Sequence, residues 1–355
     1  MFVLDSHCDT PSQIIRLRDL SADNDHAHID FPKLRRGSVD GAFFALYVPS
    51  EMDDLPDEGF SYACRLLDGV NAEIDSNSES VALASSYAEA LKNKDEGLFS
   101  IFLGLENGAA ISNSFEKLNY LYDRGVRYVT LCHARDNSIC DSSASRQKRW
   151  HGLSPFGKDL IREMNRKGIL IDVSHASDES FYDIIKYSTE PVVASHSCCR
   201  AICDHPRNLS DDMIRALADA GGVIQINFYP VFLDSSFAEL LSTSDIDKRG
   251  EIIEREFIAD PGNHRKREAW NSVLDELNSM IRPSYKRIVD HIDHVVDLVG
   301  TDHVGLGSDF DGIAVTPAGL EDISGMPLIF EEMRSRGYSE GEIEKVAGAN
   351  FLKLL

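Results

Sequence analysis

Short apolar runs recur along the chain, and a segment with helical spacing of its apolar residues follows each run. The runs are continuously apolar rather than alternating with polar positions, which is typical of parallel strands buried on both faces. Eight such runs alternate with helical segments, which predicts a parallel sheet closed into a (β/α)₈, TIM-like barrel. The predicted strands are residues 2–9, 41–48, 99–106, 128–133, 169–175, 191–197, 222–228 and 303–310.

Local signals mark the ends of several predicted helices. Ser154 precedes the run 156–167, whose apolar residues lie three and four apart, and Gly168 follows as a stop signal. Ser177 and Ser210 are predicted N-caps, because each precedes residues suited to a first helical turn. These signals predict helices in three of the intervals between strands.

The interval between residues 228 and 303 is far longer than one crossover helix needs. Its residues 234–283 are charged and helix-prone, so we expect a helical insertion after the seventh predicted strand, at approximately residues 230–285. An insertion that begins there lies on the catalytic side of a barrel, where a lid and an oligomer contact are both reasonable roles. Because no repeat or linker interrupts the chain, residues 1–355 are predicted to form one domain.

Composition and charge narrow the class of protein. Hydrophobic residues make up 43% and charged residues 27% of the 355 positions, as in ordinary globular enzymes, so neither disorder nor a membrane class is favoured. The net charge of −23 repels phosphate backbones, and no nucleic-acid partner is expected.

Cysteine usage and the N-terminus suggest a location. The seven cysteines are odd in number and form no CxxC pair, and a chain of this size needs no disulfides for its core, so we expect free thiols in a reducing compartment. The chain begins without a basic region or a long apolar stretch, and no run of about 18 apolar residues occurs. A cytoplasmic protein without membrane attachment is therefore expected.

Nearly every predicted strand ends in a side chain that can bind a metal ion or transfer a proton. His7 and Asp9 end the first strand two positions apart, and therefore on the same face of it. A lone histidine at a strand end is more often structural, but several such groups at successive strand ends favour a shared site at the barrel mouth. The later strands end at or near Glu106, His133, His175, His196 and Asp309.

The ligand types indicate which ions would bind. Three histidines, one aspartate and one glutamate suit Zn²⁺, Mn²⁺ or Co²⁺. Five ligands exceed what one catalytic zinc ion with an open position usually takes, so two ions are plausible, bridged by the glutamate and by a water or hydroxide. Two ions about 3.5–4 Å apart would activate that water and polarise a substrate carbonyl, as in a metal-dependent hydrolase. The predicted ligands are His7, Asp9, Glu106, His175 and His196.

Short motifs follow one another in order along nearly the whole chain. They are DSHCD (5–9), GLENG (104–108), TLCH (130–133), GLSPFG (152–157), DVSH (172–175), SHS (195–197), RNL (207–209), NFY (227–229), GSDFDG (307–312) and GANFL (348–352). Together they resemble the renal (membrane) dipeptidase family of the amidohydrolase superfamily. The SHS…RN and SDFDG blocks in combination make this resemblance specific.

The resemblance implies a ligand assignment and an activity. His7 and Asp9 would hold one zinc ion, His175 and His196 the other, and Glu106 would bridge them. The implied substrates are dipeptides with a free C-terminal carboxylate, often with a D-residue at that end. Homodimerisation is a family-level expectation, whereas the secretory signal and lipid anchor of animal members are not expected here.

The resemblance also implies substrate-binding and catalytic residues. His133 would stabilise the developing oxyanion, and Arg207 would clamp the C-terminal carboxylate with its bidentate fork. Asp309 would pass a proton from the water to the leaving amine, and Tyr229 would assist with the oxyanion or carboxylate. Three alternatives stay open: Asp311 as the working carboxylate, Arg207 as a buried ion-pair residue, and Tyr229 as a wall residue.

Two other functions compete with a dipeptidase. One is a different metallohydrolase of the same superfamily, acting on a cyclic amide, a lactone or a deaminase substrate. A carboxylate clamp at Arg207 discriminates against it, because a clamp implies a free acid beside the scissile bond. The other is a non-enzymatic barrel, against which the ligand set argues, since buried histidines and carboxylates are costly without a metal ion.

Overall fold

The computed structural model describes residues 1–111 and 113–355 and contains a barrel of eight parallel strands. These strands neighbour one another in chain order, and a short ninth strand, β3, pairs with β4 outside the barrel path. The strands are β1 (Leu4–Cys8), β2 (Gly41–Tyr47), β3 (Val81–Leu83), β4 (Phe99–Glu106), β5 (Val126–Thr130), β6 (Leu170–Asp172), β7 (Val192–Ser197), β8 (Val223–Ile226) and β9 (Val304–Leu306).

The first and last parts of the chain close the barrel. The main-chain N–H of Asp9 donates to the carbonyl oxygen of Phe310 at 2.9 Å, and that of Asp309 donates to the carbonyl of His7 at 3.0 Å. Cys8 and Phe310 form a parallel bridge at the same place. The predicted (β/α)₈ barrel is therefore confirmed, and closure sets residues 7–9 beside residues 309–310.

All eight predicted strands are present, but several are shorter than predicted. His133, His175 and Asp309 each lie three residues beyond a strand end, so their placement at the ends of strands was wrong by that distance. Positive φ angles of 69° at His175 and 63° at Asp309 explain two of these cases, because left-handed residues cannot continue a ladder. The three-residue β3 was not predicted.

Helices cover the outside of the barrel and connect its strands. Within the described residues no helix has both the length and the apolar character needed to cross a membrane. The α-helices are α1 (Thr10–Ile14), α2 (Phe31–Arg36), α3 (Pro56–Ser76), α4 (Tyr87–Asp95), α5 (Phe115–Tyr122), α6 (Pro155–Lys167), α7 (Asp178–Tyr187), α8 (Asp211–Asp219), α9 (Pro230–Leu233), α10 (Ser235–Thr243), α11 (Ile246–Ala259), α12 (His264–Ser279), α13 (Lys286–Val299), α14 (Met326–Ser335), α15 (Glu340–Glu344) and α16 (Asn350–Leu352). Shorter 3₁₀ turns cover Ser50–Met52, Gly108–Ile111, Thr301–His303 and Ile323–Gly325, and a π-turn covers Lys345–Ala349.

The predicted helix ends are confirmed. Ser154, Ser177 and Ser210 cap α6, α7 and α8, and each side chain accepts a hydrogen bond from the main-chain N–H three residues later. Gly168 ends α6 with φ of 70°, a conformation that glycine adopts without steric cost. Capping of this kind contributes about 1 kcal/mol per helix and fixes where each helix leaves its strand.

Four helices, α9 to α12, occupy the interval after β8, the seventh strand of the barrel, and confirm the predicted helical insertion. They enclose a small apolar core of their own, which includes Phe237, Leu241, Val273 and Leu277. Val315 belongs to the same cluster and follows the loop that carries Asp309. The insertion therefore packs on the carboxyl side of the barrel.

Aromatic side chains fill the interior at the amino end of the barrel. The ring of Phe43 lies 4.8 Å from Phe102, 4.9 Å from Tyr128 and 5.2 Å from Phe351. We call these four residues the aromatic plug. All four are fully buried, and each such ring pair adds roughly 0.5–1.5 kcal/mol to the free energy that burial supplies.

Candidate metal centre and active site

The five predicted metal ligands converge on Glu106, the last residue of β4. Its Oε2 lies 3.4 Å from Nε2 of His7, and its Oε1 lies 3.1 Å from Nε2 of His175 and 3.5 Å from Nε2 of His196. Oδ2 of Asp9 lies 3.8 Å from Nε2 of His7. The two oxygens of one carboxylate thus face two different histidine groups.

Several residues of this end of the barrel have left-handed backbone conformations. The φ angles are 74° at Asn107, 69° at His175, 63° at Asp309 and 67° at Asp311. Each such non-glycine residue costs of the order of 1 kcal/mol, and such strain tends to collect at functional sites. Here it turns the chain sharply after β4, β6 and β9, so that ligand-bearing loops reach the barrel axis.

Divalent cations fit this donor set, because several of its buried polar atoms lack hydrogen-bond partners in the described structure and are free to bind an ion. Nε2 of His7 and Oδ1 of Asp9 are buried and form no hydrogen bond within residues 1–111 and 113–355. Nε2 of His175 lies 3.0 Å from Nε2 of His196, and only one of these two nitrogens could donate to the other. Such an arrangement is costly in a protein interior unless cations satisfy the lone pairs.

Hydrogen bonds behind the ligands fix the tautomer of His196. Asp172 only accepts, so the Ser195 hydroxyl donates to its Oδ2 at 2.6 Å. The Ser195 oxygen, 2.7 Å from Nδ1 of His196, then accepts the proton on that nitrogen. The lone pair of His196 Nε2 is left pointing at the centre, as a metal ligand requires.

His7 is oriented in the same way by Tyr128, whose hydroxyl lies 2.8 Å from its Nδ1. These supporting roles were not predicted from the sequence. Asp172 and Ser195 stand inside the DVSH and SHS motifs, which could have drawn attention to them. Tyr128 carries no such signal, because a tyrosine in an apolar strand reads as a core residue.

Burial and neighbouring charges shift the pKa values of the centre in opposite directions. Burial favours the neutral form of Glu106, but the positive charge of a protonated His7 and the nearby Nε2 atoms of His175 and His196 hold the pKa of Glu106 well below its usual range. Burial and the charge of Glu106 raise the pKa of Asp9 well above its ordinary value. Burial holds the pKa values of His175 and His196 well below normal, so both rings are neutral, as ligands must be.

His133 stands at the opening of the centre rather than among the ligands. Its Nε2 is 4.0 Å from Oε1 of Glu106, and its ring packs 4.3 Å from the ring of His175 and edge-on against Tyr47. Nδ1 of His133 is buried and has no hydrogen-bond partner in the part of the chain that the structure describes, while 23% of the side chain is exposed. Burial lowers its pKa, so the ring is neutral and can donate one N–H.

Asp309 joins the centre from the loop after β9. Its carboxylate oxygen and the nitrogens of His7 and His196 lie within 4.8 Å of one another. Oδ2 of Asp309 accepts a hydrogen bond from Nδ2 of Asn227 at 2.8 Å, a contact that was not predicted. Burial raises the pKa of Asp309 to about 6, although the charge of His7 opposes this shift.

The carboxylate of Asp311 forms its contacts away from the metal centre. Arg18 forms an ion pair with its Oδ1 at 2.6 Å, and the Thr10 hydroxyl donates to its Oδ2 at 2.9 Å. The main-chain N–H of His28 also donates to Oδ1, at 3.2 Å. Of the two carboxylates in the SDFDG motif, Asp309 is therefore the one that faces the metal centre.

Arg207 is buried beside the centre. Its Nη1 donates to the Ser197 hydroxyl at 2.8 Å, its Nη2 donates to the main-chain oxygen of His196 at 2.7 Å, and its Nε has no partner among the described residues. No ion pair involves this guanidinium in the described part of the chain, so it is not the buried ion-pair residue that the sequence left open. The buried Nε–H of Arg207 therefore remains free for a ligand.

Tyr229 lies farther from the ligands. Its main-chain N–H donates to Oδ1 of Asn227 at 2.6 Å, and its ring packs edge-on against Phe232 at 5.0 Å. Its side chain contacts both the main core and the core of the insertion. The structure thus gives Tyr229 a place in the wall between barrel and insertion.

Comparisons with known proteins bear on the family of the chain. The family described as membrane dipeptidase (peptidase family M19) matches residues 1–355. Dipeptidase verJ of Clonostachys rogersoniana is 31% identical over 337 residues, covering 93% of this chain and 75% of that protein. Dipeptidase aclJ of Aspergillus oryzae is 31% identical over 352 residues, covering 97% and 73%.

A solved structure gives the same result for the fold. The probable dipeptidase PvdM from Pseudomonas aeruginosa is 27% identical and superposes with a TM-score of 0.82, covering 100% of this chain and 94% of that one. The resemblance noted in the sequence motifs is confirmed. The chain therefore belongs to the membrane dipeptidase family, peptidase family M19, and is a peptide-bond hydrolase.

Proposed function

We propose that the protein is a dizinc dipeptidase that cleaves dipeptides with a free C-terminal carboxylate and accepts a D-residue at that end. The observation that carries this proposal is the position of Glu106 between two ligand groups. Oε2 faces His7, which lies beside Asp9, and Oε1 faces His175 and His196. This division supports one ion on each side of a bridging carboxylate.

The donor chemistry supports zinc, with manganese and cobalt as the other ions that such ligands suit. Imidazole nitrogens and carboxylate oxygens are common ligands of all three. Bound ions would supply Lewis acidity and activate water near neutral pH. We expect about two ions per chain when metal content is measured by inductively coupled plasma mass spectrometry on protein purified without added metal.

The residues around the centre would bind the substrate and move protons. Arg207 would use its free, buried N–H to hold the substrate carboxylate, a charge-assisted hydrogen bond in a site shielded from water. His133, neutral and at the opening, would donate an N–H to the oxygen on which negative charge develops. Asp309, fixed by Asn227, would hold and transfer the proton needed by the leaving amine.

An assay of three substrates tests this function. Purified protein with its metal content measured is given L-Ala-D-Ala, L-Ala-L-Ala and L-Ala-D-Ala-amide, with and without a chelator. We expect chelator-sensitive hydrolysis of both free acids and little or none of the amide. Failure to cleave any of them by protein that holds two ions would overturn the dipeptidase proposal. Cleavage of L-Ala-L-Ala alone would overturn only the D-residue tolerance.

A variant of Arg207 sharpens the assay. Arg207→Gln should raise KM for the free acids by about 10–100-fold, since it removes a charge-assisted contact worth about 1.5–3 kcal/mol. Arg215→Gln, an exposed arginine on α8, is the matched control and should leave KM unchanged. An unchanged KM in the Arg207 variant would exclude the clamp.

A homodimer and a cytoplasmic location are part of the same proposal. The homodimer rests on the family-level expectation. The location rests on the seven cysteines, all of which are free thiols. Light scattering during size-exclusion chromatography tests the dimer. Fractionation of cells that express the native gene tests the location.

A further inference from the structure

A cavity of about 310 Å³ lies beside the metal centre and shares none of the proposed ligands. Its walls come from residues 13–28, from residues 311–314 after β9, and from α11 and α12 of the insertion. Gly312 separates the cavity from the centre, because a Cβ at this position would collide with Oδ2 of Asp9. The cavity thus adjoins the centre across one backbone segment, and none of the proposed ligands lines it.

Two partly buried charged side chains in this cavity, Arg16 and Glu254, form no hydrogen bond or ion pair in the described part of the chain. Within residues 1–111 and 113–355, neither a hydrogen bond nor an ion pair engages the guanidinium of Arg16, and its Nε is buried. Glu254, on α11, is partly buried in the same cavity and forms no hydrogen bond or ion pair with the described residues; burial raises its pKa, and the charge of Arg16 opposes this shift. The two opposite charges thus face the same space without forming an ion pair, and a ligand that carries both charges would satisfy them.

Most other charged groups of the cavity wall are paired, and Asp25, which forms no ion pair with the described residues, is exposed to solvent. Asp311 is held by Arg18 at 2.6 Å, and His26 lies 3.2 Å from Asp275. Arg267 donates to the carbonyl oxygen of Pro261 at 2.8 Å and stacks its guanidinium over the ring of Phe257. This contrast singles out Arg16 and Glu254 as the partly buried, opposite charges of the wall that form no ion pair among the described residues.

We propose that this cavity binds a small zwitterion, with its carboxylate at Arg16 and its ammonium group at Glu254. The guanidinium fork matches a carboxylate, and a carboxylate accepts hydrogen bonds from an ammonium group. Trp270, Leu274 and Ile313 supply apolar surface for a side chain. Free amino acids and dipeptides both have this chemistry. The site is distinct from the metal centre and does not depend on the function proposed for it.

Calorimetric titration of the metal-loaded protein tests the site. L-Leucine is compared with N-acetyl-L-leucine, which lacks the ammonium group, and with L-leucinamide, which lacks the carboxylate. We expect L-leucine to bind at least about tenfold more tightly than either, because each derivative leaves one buried charge unpaired, at a cost of 1.4 kcal/mol or more. Absence of binding at about 10 mM L-leucine, where a ligand of millimolar affinity would saturate the site, would overturn the proposal.

Matched variants locate the binding. Arg16→Gln and Glu254→Gln should each weaken L-leucine binding at least about tenfold. Arg255→Gln and Glu256→Gln, exposed on the same helix as Glu254, should leave it unchanged. Circular dichroism confirms folding of each variant, and Arg16→Lys, which keeps the charge, should recover part of the affinity. Wild-type affinity in both cavity variants would place the amino acid elsewhere and refute the site.

Steady-state kinetics distinguishes the two sources of the zwitterion. If a dipeptide occupies the cavity during turnover, Arg16→Gln raises KM for L-Leu-L-Ala while kcat is retained. If a free amino acid is the occupant, KM is unchanged in Arg16→Gln, and any effect of added L-leucine on the wild-type rate is lost. This arm relies on dipeptidase activity, whereas the titration does not, so failure of one is distinguishable from failure of the other.

Discussion

The two ends of the barrel differ in the kind of side chains that they bury and in how those side chains are satisfied. At the amino end, Phe43 of the aromatic plug lies within 5.2 Å of three other rings. The side chains buried there are mostly apolar and contact one another. At the carboxyl end three histidines and two carboxylates meet within a few ångströms, and buried atoms of His7 and Asp9 have no hydrogen-bond partner among the residues described. One end is built for stability, and the other concentrates polar groups that only a ligand can satisfy.

Backbone conformation differs in the same way. The plug residues Phe43, Phe102 and Tyr128 lie in regular strands, whereas the loops after β4, β6 and β9 contain left-handed asparagine, histidine and aspartate residues. Strain of about 1–3 kcal/mol per residue persists only where surrounding structure holds it in place. The well-packed amino end therefore permits the strained carboxyl end.

Tyr128 is where the two regions meet. Its ring belongs to the plug, 4.9 Å from Phe43, and its hydroxyl supports His7 at 2.8 Å. The comparison thus predicts that substitutions at either end act on different properties, with Tyr128 as the position that touches both.

The largest effect is expected at the metal centre. Glu106→Gln should lower kcat/KM by at least about 10⁴-fold, or about 5.5 kcal/mol, because a neutral amide cannot bridge two cations. Metal content per chain should fall by half or more. Glu116→Gln, an exposed glutamate on α5, is the control and should retain both properties. A Glu106→Gln protein with full metal content and near-normal turnover would contradict the bridging role.

A truncation in the plug should act on stability instead. Phe43→Ala should lower the free energy of unfolding by about 3–5 kcal/mol, through lost burial and the cavity that remains. Metal content and kcat of the folded fraction should stay near those of the wild type. Urea unfolding measures the first and mass spectrometry with assays the second. Phe115→Ala, at a partly exposed site, should cost about 1 kcal/mol or less. Equal loss of metal and stability in Phe43→Ala would mean that the two ends are not separable.

Tyr128→Phe should affect both ends slightly. The plug keeps its ring, but Nδ1 of His7 loses its partner, so the dissociation constant for metal should rise about tenfold. Stability should fall by about 1 kcal/mol. Chelator competition and urea unfolding report these two changes, with the exposed Tyr182→Phe as control. Metal binding identical to the wild type would show that the hydroxyl does not orient His7.

Acid should lower the free energy of unfolding through His291, which is buried on the carboxyl side of the barrel, behind the loop that follows β7. Its Nδ1 accepts from the Cys199 N–H and its Nε2 donates to the Leu233 carbonyl, both at 3.0 Å. Burial lowers its pKa from 6.5 to about 4. Between these values the unfolded chain binds a proton that the folded chain does not, so stability is complete above about pH 6.5 and falls as the pH falls.

Proton uptake by His291 on unfolding should lower the free energy of unfolding by about 1 kcal/mol at pH 5.5. His291→Gln, which can keep one of the two hydrogen bonds, should reduce the loss of stability between pH 7.5 and 5.5 by that amount in urea unfolding. His264→Gln, an exposed control, should leave the loss unchanged. The same acid sensitivity in wild type and His291→Gln would rule out this source.

Much of the architecture could be predicted from local pattern. Buried parallel strands are continuously apolar and helices repeat at three and four residues, so the barrel, the caps at Ser154, Ser177 and Ser210, and the insertion after β8 all have signals within short windows. The candidate ligands could be named for a related reason. A barrel presents the carboxyl ends of its strands on one face, so polar residues at those ends must converge.

Only the tertiary structure decided which groups satisfy one another. Hydrogen bonds between Tyr128 and His7 and between Asn227 and Asp309 join residues 121 and 82 positions apart, and the ion pair that removes Asp311 from the centre spans 293. No window of sequence carries such pairings, because they depend on barrel closure and on side-chain direction. The cavity that leaves Arg16 and Glu254 unpaired likewise exists only once the insertion has packed against the loop after β9. The sequence by itself therefore determined the frame and the candidate chemistry, and packing over long chain separations determined the partners.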